Sequence, residues 1–302
     1  MSYSPQDRSR QRYSQQQRRR PGVFSGIKLR LLIGGAIVFF SVVSFMNKGE
    51  INPVTGEKQR VDMSIQDEIA QGIQSVRAMG PSSLNRRAQS HVDQIGYKLV
   101  KNLEAMLYSQ GKELPYPFEF HLLAKPEVNA FALPGGQVFI TETLYRALEG
   151  SEGRESDKHS ARIAGVLGHE IGHVIHRHGS ERMAKGNLIS GIVGAAGVAG
   201  GDMSSRNVAA YVGNLASMKY GREDELESDL WGIDLMILSG YHPSYLLDVM
   251  EVLKASKGGA GPPEFLSTHP SSETRIARIK EIIKQKQQKI DQMQSQAILD
   301  LN

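Results

Sequence analysis

Near the middle of the chain, two histidines bracket a glutamate in the stretch His169-Glu170-Ile171-Gly172-His173. On a helix, residues four apart share a face about one turn apart, so both imidazoles can aim a nitrogen at a single point. Neutral imidazole is a common zinc ligand. Glu170, next to the first His but not bonded to the metal, is placed to take a proton from a water activated there. The pattern is HExxH, and its chemistry is metal-assisted hydrolysis. The plainer reading is that two histidines share a surface face. Against it stand Ile163, Val166, Leu167, Ile171, Val174 and Ile175, which recur with helical period and predict a helix packed in a core. Gly168 and Gly172 each precede a His. A helical glycine costs about 1 kcal/mol relative to alanine, so two of them one turn apart predict that another element approaches closely there.

Catalytic zinc normally takes three protein ligands and leaves a fourth position for water. The extended pattern HExxHxxGxxH is absent, because His173 is followed by Val174-Ile-His176-Arg-His178-Gly-Ser-Glu-Arg182. His178, five residues beyond His173, lies well round the helix and reads as a cap or surface residue; His176 reads as a partner for nearby polar groups. The other source of a third ligand is the acidic cluster Arg222-Glu223-Asp224-Glu225-Leu226-Glu227-Ser228-Asp229, whose bland reading is a solvated helix face. Glu225 has Asp229 four residues on, and a carboxylate so placed can accept the N–H of a ligating His and fix its tautomer. Glu223, with Glu227 four residues on, satisfies the same spacing.

The elements that must hold this site follow from the rest of the chain. Its 302 residues are 40% hydrophobic, enough for a substantial core, and cysteine is absent, which excludes disulfides, thiolate metal sites and cysteine catalysis. Residues 1–30 carry eight basic residues against Asp7 alone, an excess of seven that leaves the remainder three net negative against an overall +4. The body therefore has no basic face asking for phosphate, and nucleic acid is not an expected partner. Residues 1–26 are rich in Arg, Gln and Ser and read as a disordered basic tail. Residues 27–47 hold the uncharged run Leu31–Met46, flanked by Lys28, Arg30 and Lys48, and read as a single transmembrane anchor, with a cleaved signal peptide and a buried core helix as the competing readings. The positive-inside rule keeps the Arg-rich tail in the cytoplasm and sends the rest across. That places the body in a bacterial periplasm at the inner membrane. The Arg- and Ser-rich start also resembles a mitochondrial transit sequence, which leaves a mitochondrial inner-membrane protein as the alternative.

Residues 48–60 are turn-rich and read as a linker. Helices are expected over about 62–79 and 84–110, then short strands at 118–123, 130–133 and 137–141, the last two joined by Pro134-Gly135-Gly136 as a hairpin. A short helix near 142–149 precedes the motif helix, expected at 158–178. The glycine-laden apolar segment 187–201 admits three readings: a small-residue helix against another helix, a membrane-dipping segment, or a flap. The first is favoured. Helices are further expected at 204–238, 243–256 and from about 271, the last fraying after 285 into a polar tail over 286–302.

HEIGH, followed about fifty residues later by Arg222-x-x-Glu225-x-x-Ser228-Asp229, resembles the gluzincin metallopeptidases of the HtpX and CAAX prenyl protease family, whose pattern is R-x-x-E-x-x-A-D. The departure is Ser228 for Ala. Asn129-Ala-Phe-Ala-Leu-Pro-Gly-Gly-Gln-Val-Phe-Ile140 is similar to the family's NAFALPGG segment, and Thr268-His269-Pro270 with Arg275-Ile276 to its HPxxxxRI ending. One N-terminal span, in place of several, is more like the Oma and BepA branch.

The resemblance implies a zincin-like α+β domain, mainly α, over residues 61–285, with one Zn2+ on His169, His173 and Glu225, Glu170 as the catalytic base and Asp229 behind the ligands. It implies that Asn129, Ala130 and Phe131 form the edge on which a polypeptide substrate lies. It also brings His269 and Arg275 to the metal, either as oxyanion stabilisers or as a plug. The function implied is membrane-anchored proteolysis in quality control of membrane or envelope proteins. The rival is an anchored chaperone or assembly factor whose zinc site rarely cleaves.

Overall fold

A computed structural model describes residues 23–153, 155–200, 220–256, 264–269 and 273–300. Most of the expected basic tail, the loop at 258–263, Pro270 and residues 204–219 of an expected helix lie outside them. The fold is α+β and mainly helical, as the sequence predicts.

The chain opens with helix α1 (Val23–Asn47) and a small antiparallel pair, β1 (Glu50–Ile51) and β2 (Lys58–Gln59). Helix α2 (Ile65–Ser75) starts at a capping box, in which the Ser64 side chain accepts from Asp67 N–H and Asp67 accepts from Ser64 N–H. Helix α3 (Arg86–Ser109) buries Val92, Ile95, Leu99 and Leu103, the face its periodicity predicts.

Strands β3 (Glu119–Leu123), β4 (Ala130–Leu133) and β5 (Gln137–Thr141) form a sheet of order β3-β5-β4. β5 is central, parallel to β3 and antiparallel to β4, with Phe131 opposite Phe139. Gly135 and Gly136 turn the hairpin at φ of 90° and 102°, and a Cβ on Gly135 would lie 2.5 Å from the Glu68 carbonyl oxygen. Both the left-handed backbone and the close approach of α2 require glycine there.

After α4 (Glu142–Ala147) comes α5 (Asp157–Ile175), capped at its start by Ser156, whose side chain accepts from His159 N–H at 3.2 Å. Its apolar stripe from Ile163 to Ile175 is buried as predicted. Helices α6 (His178–Gly200), α7 (Arg222–Leu238), α8 (Tyr245–Ala255), α9 (Glu264–Thr268) and α10 (Glu273–Asp300) complete the description. α5 packs chiefly on α7, with α3, α8 and the sheet around the pair.

Three expectations change. Residues 48–60 are not a free linker: Asn52 Nδ2 donates to the Ile175 carbonyl at 2.7 Å and Gln59 Nε2 to that of His176, so the β1–β2 hairpin supplies donors to the orphan carbonyls at the end of α5. The motif helix stops at Ile175 rather than 178. Arg177 takes a left-handed φ of 55°, and its buried guanidinium is fixed by Glu68 at 2.8 Å, Glu50 at 2.9 Å and the Met63 carbonyl at 2.8 Å. Left-handed backbone costs a non-glycine residue on the order of 1–2 kcal/mol, offset here by that buried ion network. Finally, α10 continues to Asp300 instead of fraying after 285, consistent with the high helix propensity of its Gln, Lys and Ala residues.

Candidate metal centre

The two glycines before the histidines mark where α7 meets α5. A Cβ on Gly172 would lie 2.8 Å from Ser228 Cα, and one on Gly168 would lie 3.1 Å from Gly232 Cα. This backbone-to-backbone approach brings Glu225, Ser228 and Asp229, all fully buried, onto the histidine face of α5. Of the acidic cluster, Glu225 is the member that reaches the Nε2 atoms of both His169 and His173. Glu225 also sits in the first turn of α7, where the helix N-terminus favours a carboxylate.

His169 Nε2 and His173 Nε2 lie 3.1 Å apart, with Glu225 Oε2 3.7 Å from the first and Glu225 Oε1 3.4 Å from the second. A tetrahedral ion with ligands about 2.0–2.2 Å away has edges of roughly 3.3–3.6 Å, so the three donors fit one metal. Hydrogen bonding at the far nitrogens agrees. His169 Nδ1 faces Asp229 Oδ1 at 2.9 Å, and the carboxylate, an acceptor only, assigns the proton to Nδ1. His173 Nδ1 faces His178 Nδ1 at 2.9 Å, while His178 Nε2 faces Glu227 Oε2 at 2.9 Å. Glu227 accepts from His178 Nε2–H, so His178 Nδ1 accepts and His173 Nδ1 donates. Both Nε2 atoms are then bare lone pairs facing each other in a buried space, an arrangement that calls for a cation.

Burial alone would push the Glu225 carboxyl up, but His269, His173 and His169 around it hold it well below the usual carboxylate range. Asp229 is likewise held down against burial by the bidentate Arg275, whose Nε and Nη2 donate at 2.6 and 2.7 Å. Arg275 also pairs with Glu225 Oε2, so its guanidinium is committed to Asp229 and Glu225. Glu170 differs. Burial raises its pKa, and neither of its oxygens has a hydrogen-bond partner among the described residues. A base poised for a water proton has these properties.

His269 lies at the fourth corner. Its Nδ1 is 2.9 Å from Glu225 Oε1 and 3.3 Å from His169 Nε2, and its Nε2 is 3.7 Å from Glu170 Oε1. Tyr220, which the sequence reading missed, stacks on His173 at 4.0 Å between ring centroids, with Arg182 over its ring at 4.4 Å. A cleft of about 270 Å³ opens beside them, lined among others by Asn129, Phe131, Ala132, Tyr220 and His269. It brings one edge of β4 to the site. Thr141 N–H donates to the Asn129 carbonyl at 2.9 Å, so antiparallel alternation makes residues 129, 131 and 133 the paired positions and turns the N–H and C=O of Ala130 and Ala132 to the open edge. Phe131 stacks on Phe139 at 4.8 Å and braces the strand.

His178 is not a surface residue; it is 3% exposed. The left-handed turn at Arg177 folds the fifth residue after His173 back onto it. His176, also buried, accepts from Trp231 Nε1–H at 2.7 Å through Nε2, and its Nδ1 faces Glu227 Oε2 at 3.3 Å.

The sequence profile of peptidase family M48 matches residues 87–283, and the chain belongs to that family. It is 29% identical over 247 residues to the beta-barrel assembly-enhancing protease of Escherichia coli K12, covering 78% of this chain and 47% of that protein. It is 28% identical over 262 residues to the mitochondrial metalloendopeptidase OMA1 of Schizosaccharomyces pombe, covering 86% of this chain and 72% of that one. The chain thus spans about half the length of the bacterial relatives it matches.

Proposed function

We propose that this chain is a membrane-anchored zinc endopeptidase, held closed at rest by His269. The observation that carries the reading is the convergence of His169 Nε2, His173 Nε2 and the Glu225 carboxylate beside a buried Glu170 whose oxygens have no hydrogen-bond partner among the described residues. His169, His173 and Glu225 would hold the ion, and two His with one Glu is a known donor set for catalytic zinc. When bound, zinc would supply Lewis acidity to the attacking water and the scissile carbonyl.

The chain's own residues do the rest. Glu170 accepts the water proton at a carboxylate oxygen and later delivers it to the leaving amine; burial raises its pKa, which strengthens it as a base. Asp229 holds the His169 ring by its Nδ1–H, and His178 does the same for His173. The backbone groups of Ala130 and Ala132 at the open edge of β4 receive an extended peptide as an added strand, with Asn129 and Phe131 flanking it, which selects for extended backbone more than for sequence. His269 must leave the fourth corner before water and substrate can enter. Arg275, paired with Asp229 and Glu225, supports the plug reading over an oxyanion role for this pair.

Such recognition suits damaged or unassembled membrane and envelope proteins. The anchor is α1, whose stretch Lys28–Asn47 is long and apolar enough to cross a membrane. The compartment proposed is the periplasmic face of a bacterial inner membrane, with the mitochondrial inner membrane as alternative. The closed His269 position favours one rival: a chaperone that holds peptide on β4 and rarely cleaves. Glu170→Gln decides between them. The peptidase reading requires that it keep zinc and lose cleavage of an unfolded protein substrate; unchanged function in cells and unchanged cleavage would sink it.

A further inference from the structure

Beyond its first turns, α6 leaves the catalytic core. Its main neighbour is α1, and the two run antiparallel. Asp62 fixes their relative height: it pairs with Lys48 at 2.7 Å just past the end of α1, and accepts from Asn187 Nδ2 at 2.7 Å in α6. Farther along, a Cβ on Gly191 would meet Ser41 Oγ at 2.6 Å. From Asn187, α6 therefore runs back alongside α1, away from the catalytic domain. Beyond that collar, small residues are buried on both helices: Ala195 on α6 and Gly34 on α1.

The charges stop where the helices pair. Arg182 and Lys185 precede Asn187, whereas Leu188–Gly200 contains no charged residue. That is 13 residues of helix, or about 20 Å at 1.5 Å per residue, roughly two-thirds of a ~30 Å hydrocarbon layer. Outside the contact, α1 exposes Leu31, Leu32, Phe39 and Phe40, and α6 exposes Ile192. Together these make a two-helix apolar surface that water would not tolerate.

We propose that α6 enters the bilayer beside α1 as a re-entrant helix, its Ile192 face against lipid acyl chains, so that the metal site is attached to the membrane at two points. The inference rests on the reading of α1 as the anchor. If α1 crosses the hydrocarbon, a helix packed along it from the Lys48–Asp62–Asn187 collar onward occupies the same layer. Its backbone groups are satisfied within the helix, and the small residues let the two helices approach closely. α6 is too glycine-rich to be an obvious span by itself; its contact with α1 is what holds it there. The second attachment point is close to the chemistry. Two residues separate α5 from α6, and His178, the first residue of α6, touches His173.

The natural absence of cysteine makes the test direct. Single-cysteine full-length chains, Ile192→Cys in α6, Phe39→Cys in α1 and Tyr108→Cys on the catalytic domain, are labelled with the fluorophore NBD. They are then reconstituted in phosphatidylcholine vesicles with or without lipid carrying a doxyl quencher on the acyl chain. Equal metal content across the three confirms that each is folded. The expected result is at least about a twofold loss of emission at positions 39 and 192 and little at 108. Quenching at 39 with none at 192 overturns the proposal and leaves the anchor intact. Quenching at 192 without 39 overturns the helix pairing on which the proposal stands. No quenching at either position removes the anchor reading and the proposal with it.

Discussion

Nδ1 of His178 lies 2.9 Å from Nδ1 of His173, and the other nitrogen of His178 lies 2.9 Å from Glu227. A His–Glu pair thus does for His173, the second proposed metal ligand, what Asp229 does for His169. The acceptor is what matters in this relationship, so an amide oxygen at position 178 should substitute for the imidazole where a ring of carbon cannot. His178→Phe is expected to weaken zinc binding by about 10–100-fold in competition with a chelator, the usual effect of removing such a partner, and His178→Asn to recover most of the loss. Equal affinity in both variants would show that His178 merely fills space.

In the proposed closed state, His269 occupies the corner that water needs. His269→Ala is expected to raise cleavage of an unfolded protein by at least about tenfold, the factor corresponding to ~1.4 kcal/mol of preference for the closed state. Steady-state kcat against wild type measures it. A fall in kcat would instead assign His269 to transition-state stabilisation.

Gly172→Ala places a methyl 2.8 Å from Ser228 Cα, with backbone on both sides. The α5–α7 pair must separate, at a cost of about 1–3 kcal/mol, and Glu225 moves away from His173. Chemical denaturation should show that loss of stability together with weaker metal binding. Full stability with full metal content would mean that the two helices are not locked at this point.

His159 and His91 are buried near Tyr145, and burial lowers the pKa of each. The folded state therefore favours their neutral forms. Stability is complete above the ordinary value near 6.5 and is lost progressively as pH falls from there toward the lowered folded values. His159 accepts from Glu155 N–H at 3.0 Å through Nδ1 and donates through Nε2 to the Tyr145 carbonyl at 2.9 Å, a pair that Gln can reproduce without titrating. Thermal unfolding of metal-free protein at pH 7.5 and pH 5 should show a smaller acid loss in His159→Gln than in wild type; an identical loss would remove His159 from the account.

The parts of the site visible in the sequence are those whose chemistry is local to one helix. His169, Glu170 and His173 share a face by helical period alone, and Gly168 and Gly172 announced the approach of α7 before its identity was known. The choice of Glu225 over Glu223 needed the family pattern, because both have a carboxylate one turn on; only the position of α7 on α5 separates them. His178 was misread because a continuous helix would carry it outward, and the left-handed Arg177 that turns it inward is stabilised by Glu50 and Glu68, far away in sequence. Tyr220 and the capping of α5 by Asn52 and Gln59 depend on long-range packing and leave no periodic trace. The glycine-laden segment showed its small residues in sequence, while its partner, α1, emerged from the fold.

The central claim is that His169, His173 and Glu225 form one metal site. Zinc content per chain, measured by plasma mass spectrometry on purified full-length protein and on Glu225→Ala, tests it most directly. The account predicts about one zinc per chain in the first and nearly none in the second, with the variant still folded by circular dichroism. One zinc per chain retained in Glu225→Ala would contradict it.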